Sequence, residues 1–149
     1  MLQIRKSVFE TNSSSSHSVN ISTSGDIDTS LIPNDNGVLV IDSKNQFGWE
    51  QEYHNDASTK AMYAHLQSQY SGNPQHVEML NKVIRDQTGA DEIIFLGDIH
   101  ADWSSNINAY IDHQSAYCEA GFEPFESEES LRNFIFNKQS YVETDNDNH

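Results

Sequence analysis

The sequence predicts an α+β fold: a small mixed or antiparallel sheet, a central helical hairpin and a short C-terminal helix. Three observations carry this expectation. Residues 56–72 and 73–89 each place apolar side chains at helical spacing between a capping residue and a glycine. β-branched and aromatic runs flank that pair on both sides. Further on, a third capped helical pattern gives way to a closing strand pattern.

In chain order, "VNIST" (19–23) alternates apolar and polar residues and predicts a short strand. "GDIDTSLIPNDNG" (25–37) is rich in breakers and predicts a loop. "GVLVID" (37–42) is a β-branched strand. "QFGWEQEY" (46–53), with Phe47, Trp49, Gln51 and Tyr53 on one side, predicts a second strand pairing with it. The first helix carries Met62/Tyr63, Leu66 and Tyr70, with Asp56 or Ser58 as cap and Gly72 as terminator. The second takes Asn73 as cap and Pro74 at its first position, buries Val77, Leu80 and Val83/Ile84, and stops at Gly89. Both are expected to be amphipathic. "EIIFLGDI" (92–99) predicts a buried strand, while "INAYIDHQSAY" (107–117) fits helix and strand equally. "ESEESLRNFIF" (126–136) predicts a helix capped by Ser127, with Glu128 and Glu129 at its positive end and Leu131, Phe134 and Ile135 as its stripe. "SYVET" (140–144) closes the pattern, and residues 145–149 are expected to fray.

A chain of 149 residues fits a single domain spanning 1–149. Apolar residues make up only 36%, yet seven Phe, two Trp and six Tyr supply bulky core material under a very polar surface. Against 23 Asp and Glu stand eight Lys and Arg, for a net charge of −15. Such a field repels phosphate backbones, so no direct nucleic-acid binding is expected unless a metal or a local basic patch intervenes, and Arg5-Lys6 is too small a patch to do so. It suits a cation or a basic protein surface instead. Cys118 stands alone, which removes a disulfide framework and reads as a small buried hydrophobe. No stretch approaches the roughly 18 apolar residues of a membrane span, and no secretory leader is recognisable. The expected location is cytoplasmic, in the host cell if a phage encodes the chain.

Several clusters carry candidate chemistry. In "FLGDIHADW", Asp98 and His100 lie two apart and share one side of an extended chain, as a metal-binding pair must. The stretch is similar to the first metal-ligand motif of calcineurin-like metallophosphoesterases. Those enzymes need further ligand sets, and the 47 residues after Asp102 contain none, so that activity is not carried over. "YIDHQS" offers His113 and Ser115 on one strand face, a base beside a hydroxyl, with Asp112 on the other face. "FGWEQE" offers Glu50 and Glu52 opposite Phe47, Trp49 and Tyr53, a carboxylate pair or a solvated face. No histidine spacing spells a zinc site, and the sequence names no cofactor.

The densest cluster is "FETNSSSSHSV" (9–19). Glu10 and His17 are acid–base candidates, and Asn12, Ser13, Ser14, Ser15 and Ser16 are candidate binding groups. A serine tract is by composition a linker. Here Phe9 precedes it and Val19 and Ile21 follow, and Asn and Ser side chains bond neighbouring N–H groups, so an ordered polar turn is expected. The longer run "IRKSVFETNSSSSHSV" resembles an N-terminal motif, F-E-T-N-S-S-S-[ST]-H-S, of a family of uncharacterised bacteriophage and bacterial proteins. The likeness extends to "FGWE", "YIDHQS" and "ESEESLRNFIFNKQSYVETDNDN", with Ser7 where a glycine or another small residue is expected. The resemblance implies a phage-type accessory protein and assigns no catalytic role.

Two functions from different classes follow. The first is a small acidic accessory protein that binds a basic host protein as an inhibitor or anti-defence factor. The alternative is a small enzyme or nucleotide-like ligand-binding protein, in which residues 10–17 and 110–115 converge on one pocket. A structural component of a virion is a third reading with no feature of its own.

Overall fold

A computed structural model of the chain describes residues 2–5, 15–48, 50–97, 99, 109–111 and 122–146. The helical hairpin forms as its caps dictate. Helix α1, Ala57–Ser71, starts at Asp56, whose carboxylate accepts from the Thr59 amide at 2.9 Å. It ends at Gly72, whose left-handed φ of 65° lets its N–H close onto the Ser68 carbonyl. Helix α2, Pro74–Thr88, takes Asn73 as cap and Gly89, at φ 78°, as terminator. Helix α3, Glu128–Phe136, is capped by Ser127.

Burial divides the two hairpin helices, against the expectation that both are amphipathic. Helix α2 buries a narrow stripe of Leu80, Val83 and Ile84, and Val77 lies outside it, 42% exposed. Helix α1 is enclosed nearly all round: Ala57, Ala61, Met62, Tyr63, Ala64 and Leu66 are buried, and so are Thr59, Lys60, Gln67 and Ser68. Its three alanines let neighbours approach from several sides, so α1 is the axis of the core rather than a surface helix.

The main sheet has four antiparallel strands in the order β1-β2-β8-β5: β1 is Leu2–Arg5, β2 Ser15–Ile21, β5 Glu52–His54 and β8 Tyr141–Asn146. Within it Val19 faces Val142, His17 faces Thr144 and Tyr53 faces Glu143. Two further pairs are parallel, β3 (Val38–Ile41) with β6 (Glu92–Phe95) and β4 (Gln46–Phe47) with β7 (Tyr110–Ile111). One hydrophobic cluster joins these layers through α1, and a chain of aromatics runs within it from Phe47 through Tyr63 to Phe122, which meets Phe125 and Phe134.

Four further expectations are corrected. Residues 46–53 do not form one strand beside β3. They split into β4 and β5, which belong to different sheets, because the Gly48 and Glu50 carbonyls between them are taken by side chains of His17 and Thr144. The serine run is no turn where it is described, since Ser15–Ser18 lie inside β2. Asp145 and Asn146 do not fray but pair with Ser16 and Ser15. Strand β6 is not buried on both faces, because Glu92 and Ile94 point outward from a two-stranded pair. No described helix is long and apolar enough to cross a membrane.

Candidate functional site

Alternation along β2 turns His17, Val19 and Ile21 toward the core. The His17 ring is completely buried. Its Nε2 lies 2.8 Å from the Gly48 carbonyl and its Nδ1 lies 2.9 Å from the Tyr63 hydroxyl. A carbonyl only accepts, so Nε2 carries the proton and Nδ1 accepts from the tyrosine. Tyr63 is itself buried, and burial drives its hydroxyl far above the usual tyrosine range despite an opposing hydrogen bond from Gln67. The result is a neutral polar pin that ties β2, α1 and the β4–β5 connection together. In this arrangement neither ring nitrogen opens to a substrate.

The other candidates are distributed as follows. Glu50 is exposed and Glu52 pairs with Lys44 at 2.8 Å, so the two carboxylates do not share a cation. The Lys44 hydrogen bond holds the Glu52 carboxyl below the usual range, against partial desolvation. Ser15 and Ser16 sit at register positions opposite Asn146 and Asp145. Glu10, Asn12, Ser13, Ser14, Asp98, His100, Asp112, His113 and Ser115 lie outside the described residues, as does Cys118. The described ends of the two candidate segments meet consecutive residues: Ile111 pairs with Phe47, and His17 bonds the Gly48 carbonyl. Among the described residues no group of three metal-ligating side chains is present.

A pair that looks catalytic is a turn brace. The Ser71 hydroxyl lies 3.0 Å from His76 Nδ1 but donates to the Ser68 carbonyl, so the imidazole N–H donates to serine rather than taking its proton. The His76 ring stacks on Phe125 at 4.3 Å, and burial lowers its pKa.

Sequence reasoning missed two features. The first is Lys60, which is completely buried and donates to the Asn137 and Ser140 carbonyls at 2.7 and 2.9 Å. Burial brings its ammonium pKa down to about 8, with Asp28 and Asp56 acting in the opposite direction. Asp28 belongs to the same knot. Burial would raise its carboxyl, but bonds from Ser30 and the Ala57 amide, with the charge of Lys60, outweigh it and hold the group below the usual range. Around them Asn137 donates to the Ser22 carbonyl and Ser140 to that of Asn133. The only sequence signal is a lysine set among small and apolar residues in "ASTKAMYA".

The second feature is an aromatic pair on the outer face of the main sheet. Tyr53 is 54% exposed and its ring lies 4.8 Å from that of Tyr141, tilted by 36°. Partial desolvation, then Tyr141 and Glu143, raise the Tyr53 hydroxyl pKa. Elsewhere a shallow hollow of about 270 Å³ is lined by Ile21, Thr23, Glu123, Glu126, Glu129 and Asn133, and burial followed by Glu126 raises the Glu123 carboxyl. No protein-family model matches the chain, and no curated protein or solved structure matches it.

Proposed function

We propose that the chain is a small acidic accessory protein of phage type that acts by binding a basic protein surface of the host, as an inhibitor or anti-defence factor. The charge supports this reading most directly. Against 23 Asp and Glu stand eight Lys and Arg, of which Lys44 and Lys82 pair with acids of the fold and Lys60 is buried on two carbonyls. A field of that sign steers basic partners in and turns nucleic acid away. The test is capture of host proteins on the immobilised chain at low and high salt, followed by direct titration of each purified partner. Basic partners released by salt are expected. Binding indifferent to salt, or to partners without a basic face, overturns the reading.

One observation supports the alternative, a small enzyme or nucleotide-like ligand site: His17 bonds the Gly48 carbonyl while Ile111 pairs with the adjacent Phe47. That reading expects a small molecule to co-purify with the wild type and to be lost in His113→Ala. A clean preparation of the wild type counts against it.

A further inference from the structure

We propose that Tyr53, Tyr141 and Glu143, on the outer face of the four-stranded sheet, form a clamp for an arginine of the basic partner. The proposal rests on the docking reading above and names its contact. Several large apolar side chains are exposed, among them Ile32, Val40, Val77 and Tyr53. Among these four, Tyr53 alone lies against a second aromatic ring and stands directly opposite a carboxylate.

The register fixes the geometry. Tyr53 and Glu143 are Cα partners across β5 and β8, so their side chains rise from the same face about 5 Å apart. Tyr141 is two residues before Glu143 on β8 and therefore shares that face, roughly 7 Å along the strand. Strand β5 is an edge of the sheet, so no described strand stands beyond Tyr53. A guanidinium laid on the tyrosine rings thus finds a carboxylate within reach of its N–H fork. Arginine fits better than lysine because its planar, weakly hydrated head stacks and forks at once, whereas an ammonium is a compact, strongly hydrated point charge. On the other side of Glu143 lies Ser18 of β2, a small polar neighbour.

The probes are fluorescently labelled octa-arginine and octa-lysine, titrated with the full chain at low salt and followed by anisotropy. Octa-arginine is expected to bind at least about threefold more tightly than octa-lysine, and Tyr53→Ala to weaken it about threefold, the size of an exposed cation–π contact. Tyr53→Phe, which keeps the ring, should bind as the wild type does. Glu143→Gln should weaken binding more than Asp35→Asn, a matched charge loss at an exposed turn. Thermal unfolding of each variant shows that the fold is intact. If Tyr53→Ala is silent and both charge variants lose equally, the clamp is wrong while acidic docking stands. If neither peptide binds even at low salt, both proposals fall.

Discussion

Replacing His17 by alanine is expected to lower stability by about 3 kcal/mol, because it leaves a cavity and strands the Gly48 carbonyl and the Tyr63 hydroxyl. Tyr63→Phe, which removes one hydroxyl and keeps the ring, should cost about 1–2 kcal/mol. Urea unfolding of both variants checks the order, and a His17→Ala loss below that of Tyr63→Phe would refute the pin. Lys60 gives a pH signature. Unfolded, it keeps its proton up to about 10.5; folded, it gives the proton up near about 8. Between these values the unfolded chain binds more protons, so stability should rise with pH from about 8 toward 10. A neutral amine still has two N–H groups for its two carbonyls. Tyr63 acts with the opposite sign only above its ordinary value near 10. Lys60→Met should be less stable and lack the rise, as urea midpoints on either side of the window will show. Asp28 works at the other end: the stability it gives at neutral pH is lost as the pH falls through its lowered folded value. None of these roles was legible locally. His17 stood out for its serine neighbours, yet its partners lie 31 and 46 residues away.

Helix boundaries were legible because each is fixed by residues adjacent in the chain. Asp56, Asn73 and Ser127 bond amides two or three positions on, and Gly72 and Gly89 adopt the left-handed turn that stops a helix. Ser127→Ala should therefore destabilise α3 by about 1 kcal/mol, and Gly89→Ala should cost a similar amount at the end of α2. Thermal unfolding of the two variants measures both. Strand partners were not legible. Strands β4 and β7 are two residues long and carry no periodicity. The break between β4 and β5 is imposed by His17 and Thr144, which sequence order gives no reason to place there. The tyrosine pair escaped for the same reason, since Tyr53 and Tyr141 meet only once β5 and β8 are in register.

Across the whole molecule, charge was the most legible property, because it is a sum that folding does not alter. If acidic docking is the function, affinity for a basic partner should fall steeply as salt rises, mainly through slower association. Measuring association rates over a salt series checks this, and a flat series counts against it. The main sheet carries a different consequence, in time rather than in energy. Strand β2 needs β8 as its neighbour, so Ser18 waits for Glu143 to join it. Closing a loop of that length costs about 4 kcal/mol of chain entropy before any pairing returns it. Helices α1 and α2 are neighbours in the chain and their packing on each other can form early, so the sheet is the slow step. During synthesis, Lys60 emerges long before Asn137 and Ser140, whose carbonyls seat it. The nascent chain must therefore hold a charged lysine in water until residue 140 has been made.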